Sequence, residues 1–420
     1  MRDGDLKLDN CIKCSDCNSA CPVSRVYPDF PGPKVLGPDT ERFRREVVES
    51  DTEWVEYCLG CHRCDVTCPH GVNVSELIAK AKARHVKTPR QARRDHWLAR
   101  PNVLGKFCSS IAPVANAAVK LQPVRWLMSS FGDITSQRSF PPYSAAPLKA
   151  AHIVSVSDRR VLFFPGCFIR YNNPALGRTV IELLQLNGFA VEVTPDICCG
   201  TPALANGDSA QLMDCLKGNI SAMISAVDSG AIIVTACTSC SYALKADYAH
   251  LCAGHSELAG AARRISGNTW DLGELLATEL DDRKLNTDFQ PVRQRLAYHA
   301  PCHLKSQGIG RPWLRVLRAV PGIEIEEIKT DCCGMAGTYG FKSEKYSISM
   351  NIGRELFDSI LSFQPDAVVT ECGSCQMQIQ HGTHLRTVHP AEILFAAYQP
   401  AQERSNTGQS RDALETTTAR

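Results

Sequence analysis

The chain has 420 residues, 44% of them hydrophobic and 21% charged, with a formal net charge of +2. That length implies two to four domains with ample apolar content for their cores, and so small a net charge carries no general nucleic-acid signature, so no nucleic-acid partner is expected. Its 21 cysteines stand mostly in short clusters with no secretory signal ahead of them, and no apolar run is long enough to span a bilayer, so the reading is metal ligation in a reducing compartment, in a protein that is cytoplasmic or peripherally attached.

The first element met is Cys11-Ile-Lys-Cys14-Ser-Asp-Cys17-Asn-Ser-Ala-Cys21-Pro22, a C-x2-C-x2-C-x3-C-P run that returns at Cys58, Cys61, Cys64, Cys68 and Pro69. Three thiolates so spaced on a coiled loop can hold three irons of one cubane, while the fourth, set off and stiffened by proline, points to a neighbouring cluster. Two runs imply two [4Fe-4S] cubanes with exchanged ligands: Cys11, Cys14 and Cys17 with Cys68, and Cys58, Cys61 and Cys64 with Cys21. The alternative, structural zinc, usually takes two C-x2-C pairs about 15 to 20 residues apart, and neither run is built that way.

Between the runs, the stretch Tyr27-Pro-Asp-Phe-Pro-Gly-Pro is irregular, and Phe43, Val47 and Val48 then recur at helical spacing behind Asp39 or Thr40 as cap. A second helix is expected from about Ser75 to His85, which makes this part all-α. Residues 80–100 carry Lys80, Lys82, Arg84, Lys87, Arg90, Arg93, Arg94 and Arg100 against one acid, Asp95. An apolar-periodic stretch follows, with Leu104, Phe107, Ile111, Val114 and Ala118 on one face, a break at Pro113 and a further helix started by Pro123. Basic and amphipathic segments in succession, with Trp97 and Trp126, fit interfacial membrane binding; the alternative is that these helices pack on the protein itself or on a partner subunit. Cys108 reads as a small apolar residue, and residues 132–158 lack periodicity and read as a linker.

The strand Val161–Phe164 delivers Cys167, and the helix after it has Asn173 as cap, Pro174 at its first position and Gly188 past its end. Strand Val191–Thr194 leads to Cys198-Cys199-Gly200, and strand Ala231–Thr235 to Cys237-x2-Cys240. The unit then recurs: strand Leu296–His299 delivers Cys302, Ile323–Ile328 leads to Cys332-Cys333-Gly334, and Ala367–Thr370 to Cys372-x2-Cys375. The matching intervals agree within one residue, which argues for an internal duplication. Cys215 and Cys252 fall outside the repeat and read as core residues. Each repeat thus offers five cysteines where an ordinary cubane needs four; a vicinal pair can bind two irons of an opened cluster, with Gly200 and Gly334 letting the backbone turn closely around it. His299 and His303 flank Cys302; histidine can replace cysteine at an iron, but more often hydrogen-bonds to cluster sulfur or fills the core. Gly308-Ile-Gly310 is not a dinucleotide fingerprint, and no flavin or nicotinamide motif is visible.

These repeats resemble the cysteine-rich CCG domains of heterodisulfide reductase B-type subunits, and the whole arrangement resembles the iron–sulfur subunit family that includes anaerobic glycerol-3-phosphate dehydrogenase C subunits and glycolate oxidase iron–sulfur subunits. Similarity to the C subunits extends beyond the cysteines, through Ala20-Cys-Pro-Val-Ser-Arg25, Pro31-Gly-Pro-Lys34, Gly166-Cys-Phe168, Ala205-Asn-Gly207 and Gly337-Thr-Tyr-Gly-Phe-Lys342. The resemblance implies an α+β multidomain protein: an N-terminal all-α dicluster ferredoxin domain (1–95), an amphipathic segment and linker (96–158), two duplicated α/β CCG modules (159–290 and 291–398) and a disordered tail (399–420). It further implies one or two non-cubane [4Fe-4S] clusters, held by Cys167, Cys198, Cys199, Cys237 and Cys240 and by Cys302, Cys332, Cys333, Cys372 and Cys375, besides the two cubanes. The expected role is that of an electron-transfer subunit with no catalytic residue of its own, peripheral on the cytoplasmic face of the bacterial inner membrane, carrying electrons from flavoprotein subunits of the same dehydrogenase towards the quinone pool. The alternatives are a heterodisulfide reductase-like catalytic subunit, a glycolate or lactate oxidase iron–sulfur subunit, or a docking scaffold with zinc in the modules.

Overall fold

The short Val-, Ile- and Leu-rich runs ahead of each cysteine group become strands because each is bounded by turn residues and covered on both faces by helices. A computed structural model describes residues 8–43, 53–152 and 157–399. Among these residues nine strands form two sheets. The first is ordered β1-β3-β2-β4-β5, from β1 (Ala151–His152), β2 (Arg160–Phe163), β3 (Ala190–Val193), β4 (Ile232–Thr235) and β5 (Thr269–Asp271), with only β1 antiparallel. The second is ordered β7-β6-β8-β9, from β6 (Gln294–Tyr298), β7 (Ile323–Glu327), β8 (Ala367–Val369) and β9 (Thr387–Val388), all parallel. Without β1 the two orders are identical, so the duplication seen in the cysteine spacing is also one of topology. In each sheet the first strand of the unit pairs on both sides, which puts the crevice at its carboxyl end, where its cysteine lies.

One apolar core runs through both sheets, joining Phe163, Leu184 and Leu276 to Leu296, Trp313 and Leu394. Trp313 is fully buried against Gly273, where a Cβ would come within 2.5 Å of its ring. The helix-forming signals lie where the sequence places them: Asn173 accepts from the Leu176 amide at the start of helix Pro174–Leu186, and helix Val74–Arg84 buries Leu77 and Ile78. Of the helix expected behind Asp39 only Thr40–Phe43 lies within the described residues; Val47, Val48 and the C-terminal tail beyond Gln399 fall outside them. Residues 133–148, read from sequence as a linker, lie along the protein. Thr135 donates to the Phe341 carbonyl, Phe140 stacks on Phe341 at 4.9 Å, and the buried Arg138 donates to the Gly340 carbonyl.

The basic run has a different role from the one its charge implies. Lys87 lies 3.3 Å from Glu56 and 2.7 Å from Asp95, Arg94 binds both Asp95 and Glu344, Lys82 donates to the carbonyls of Cys58 and Ala205, and Arg100 pairs with Asp208. Lys342 and Lys345, both buried, close the network from the second module at 3.7 and 3.6 Å from Glu56. Of the two readings of residues 80–100, packing on the protein itself holds for half of these cations: Lys82, Lys87, Arg94 and Arg100 clamp the helical domain to the modules.

Burial alone would raise the carboxyl of Glu56, but Lys82, Lys345, Lys342 and Lys87 hold it down at about 2. Its folded value lies below its ordinary 4.5. Its contribution to stability is therefore complete above that pH and is lost as the pH falls through about 2. Glu56→Ala takes from the buried Lys345 its paired carboxylate, while Lys342 keeps Asp95 at 2.9 Å, and we expect urea unfolding at pH 7 to show a loss of about 3–5 kcal/mol.

Candidate metal centres

All 21 cysteines are free thiols, and eighteen of them converge into four groups. In the helical domain both runs coil by the same device. Lys13 and Ser15 in the first, and Gly60 and His62 in the second, take left-handed backbone conformations with φ of 64°, 75°, 63° and 58°. This turns successive cysteines towards one centre. Cys11, Cys14, Cys17 and Cys68 line one small cavity with Lys34 and His70. Cys21 feels the charge of Cys58, and Cys64 feels Cys61, Cys58 and Cys21, so the fourth cysteine of each run sits with the first three of the other. Arg63 ties the runs together by donating to the Ala20 carbonyl at 3.1 Å.

In the first module the Cys198 thiol lies within hydrogen-bonding reach of Cys167, Cys199 and Cys215, and Cys240 within reach of Cys199 and Cys237. In the second, Cys332 reaches Cys302 and Cys333, and Cys375 lies 3.2 Å from Cys333 and within reach of Cys372. Gly334 makes this possible: its φ is 87°, and a Cβ there would stand 2.1 Å from the Ser349 carbonyl oxygen. Cys215 and Cys252 are buried, as expected of core residues, but Cys215 also touches Cys198, which its position outside the repeat gave no reason to expect.

The groups follow one another in space in an order that differs from their order in the chain. Cys61 lies against Cys302 and Cys332, so the ferredoxin-like domain abuts the second module, and Cys372 of that module reaches Cys237 of the first. A cavity of about 280 Å³ between the modules is lined by cysteines of three of the four groups. His62, Tyr242 and His303 pack together at this junction, with ring centroids 4.4 to 5.5 Å apart. His303 is held by Ser239 and the Gly60 carbonyl, which makes it a bracket between domains. Spacing to Cys302 had singled out His303; nothing in the sequence marked His62 or Tyr242.

The donor set fits iron–sulfur groups. Burial pushes the thiol of Cys17 up to about 11 and raises Cys21, Cys61 and Cys64 as well. Four such thiols cannot ionise together at one centre of the helical domain unless a cation is bound among them. Four cysteines gather at each helical centre and five at each module.

Two parallel-sheet modules that each gather five cysteines, joined to a helical domain that gathers eight, define an iron–sulfur protein of the dicluster and cysteine-rich class. The comparisons agree: a 4Fe-4S dicluster domain matches residues 7–72, and a cysteine-rich domain, CCG, matches residues 161–245 and again 296–380. The chain is 36% identical over 402 residues to the anaerobic glycerol-3-phosphate dehydrogenase C subunit of Escherichia coli K12, covering 94% of this chain and 99% of that protein. It is 28% identical over 413 residues to the B subunit of a fumarate reductase (CoM/CoB) from Methanothermobacter marburgensis, covering 93% and 73% of the two chains. It is 24% identical over 413 residues to the glycolate oxidase iron–sulfur subunit of Escherichia coli K12, covering 94% and 96%. The chain belongs to the family of anaerobic glycerol-3-phosphate dehydrogenase C subunits. Its cofactors are several iron–sulfur clusters.

Proposed function

We propose that this chain is the iron–sulfur electron-transfer subunit of a membrane-associated anaerobic glycerol-3-phosphate dehydrogenase, taking electrons from flavoprotein subunits and passing them towards quinone. In this reading Cys11, Cys14, Cys17 and Cys68 hold one cubane, Cys58, Cys61, Cys64 and Cys21 the second, and the two sets of five module cysteines hold non-cubane clusters. The observation that carries it is the succession of cysteine groups from Cys61 through Cys302 to Cys372 and Cys237, with the Cys11 group packed in the same core cluster as Cys61. When bound, the clusters supply one-electron chemistry. The chain's own residues set the distances between them: Arg63 holds Asp331 at 2.6 Å, and Ser306 donates to the Cys61 carbonyl at 3.3 Å, fixing the second run on the second module.

A surface patch supports the membrane part of this reading. Helix Pro101–Ser110 buries Gly105 and Ser109 and exposes Val103 and Phe107, so its small residues face the protein and its large apolar ones face out. Nine of the fifteen exposed large hydrophobic residues among those described fall between Trp97 and Phe131. No Asp or Glu occurs between Asp95 and Asp133, whereas Lys106, Lys120 and Arg125 do. An apolar face with a basic border and no acid is complementary to an anionic lipid surface. No helix among the described residues is long and apolar enough to cross a membrane.

The whole reading is tested by anaerobic purification with iron, sulfide and zinc analysis. We expect iron well above the roughly eight atoms of two cubanes, with little zinc. About eight irons with stoichiometric zinc, the zinc unchanged when the ferredoxin runs are removed, would make the modules a docking scaffold instead.

A further inference from the structure

The two modules share their topology but differ in chemistry at one position. Three residues before the leading cysteine stands Phe164 in the first module and His299 in the second. The backbones there are equivalent: the Phe164 amide donates to Val234 at 2.8 Å, and the His299 amide to Val369 at 3.0 Å. Both side chains are fully buried. Phe164 belongs to the apolar cluster around Cys198, Cys199 and Cys240, as a phenyl ring should. His299 fills the matching place with a polar ring, and neither Nδ1 nor Nε2 has a hydrogen-bond partner among the described residues.

That is an unusual condition. An unpaired polar group in an interior costs roughly 1–3 kcal/mol, and buried polar groups in native proteins nearly always have a partner. The neighbouring buried histidines obey the rule: His389 bonds to the Ala236 carbonyl at 2.8 Å and accepts from the Ala391 amide at 3.0 Å, and His303 is bonded through both nitrogens. What His299 does face is the metal-ligating set of its own module, since a ring nitrogen and the Sγ atoms of Cys333 and Cys375 all lie within 4.8 Å of one another. As a neutral ring it offers one N–H donor and one lone pair.

We propose that His299 engages the iron–sulfur group of the second module directly through a ring nitrogen, and thereby makes that group the better electron acceptor of the two modules. The inference rests on the reading that both modules hold iron. A neutral nitrogen on iron in place of one of the five thiolates, or an N–H directed at sulfur with all five in place, draws negative charge off such a group and raises its reduction potential. Phe164 can do neither. Because Cys302 and Cys332 adjoin Cys61, His299 stabilises an electron at the module nearest the cubanes: the cubane of the Cys58 group loses one electron and the second-module group gains it, with no bond formed or broken.

The test uses the full chain, purified anaerobically with its clusters and labelled with 15N-histidine. Pulsed EPR of the partly reduced protein should show histidine nitrogen coupled to one module signal, strong for a nitrogen–iron bond and weak for an N–H···S contact, and His299→Phe should abolish it. Redox titration of that variant should move the equilibrium share of electrons at least tenfold away from the second module, about 59 mV for a one-electron step. His299→Gln, which keeps an N–H donor, should fall between, and it decides alone if the phenylalanine variant does not fold. Full iron and sulfide with no nitrogen coupling, or with coupling but no shift in the titration, overturns this inference alone. A wild-type second module without iron overturns the underlying reading, and this inference with it.

Discussion

Replacing Cys21 with serine should remove the cubane of the Cys58, Cys61 and Cys64 group, about four irons, and leave the one beside Cys11 intact. The expectation runs against sequence proximity, because Cys21 belongs to the first run. It follows from the packing: Cys21 is buried and feels Cys58, while Cys68 lies in the cavity of Cys11, Cys14 and Cys17. The mirror variant, Cys68→Ser, should remove the other cubane. Selective EPR of the reduced proteins distinguishes the two signals, and loss of the Cys11 cubane in Cys21→Ser would show the ligands to be uncrossed. Because the Cys58 group stands between the Cys11 group and the modules, the same variant should also interrupt reduction of the module clusters by electrons entering at the Cys11 end. Iron in both modules should stay at the wild-type level.

Changing both Phe107 and Ile111 to aspartate should release the protein from anionic vesicles. Their side chains are 63% and 41% exposed, so the substitutions disturb no core, and two such side chains in lipid are worth at least about 3 kcal/mol together. That corresponds to roughly a hundredfold fall in partitioning. High salt should release much less. Lys82, Lys87, Arg94 and Arg100 are already paired within the protein, which leaves few cations for the lipid, and apolar insertion does not weaken with ionic strength. Vesicle flotation of the wild type and the double variant at low and high salt measures both effects. If the wild type fails to float yet still binds its flavoprotein partner, the patch is a subunit interface.

The cysteine groups, the strands that carry them and the duplication are all written in the order of the amino acids. Cysteine spacing is a local property: three thiols at i, i+3 and i+6 on one loop share a centre wherever that loop lies, and the strand before Cys167 or Cys302 is legible from its apolar run and flanking glycine and proline. Helix starts were legible for the same reason, as at Asn173-Pro174. Long-range packing governs the rest, and no local pattern encodes it. The order of the groups in space departs from chain order, because Cys61 meets Cys302 only through the docking of the helical domain on the second module. The basic run looked like a surface patch because its counter-charges, Glu56 and Glu344, are remote in sequence or on another domain, and the segment read as a linker is held down by Phe341 and Gly340 some 200 residues away. The outward turn of Phe107 and Val103 was likewise hidden, since hydrophobic periodicity shows that a helix has two faces without showing which one its neighbour, here Tyr171 against Gly105, will accept.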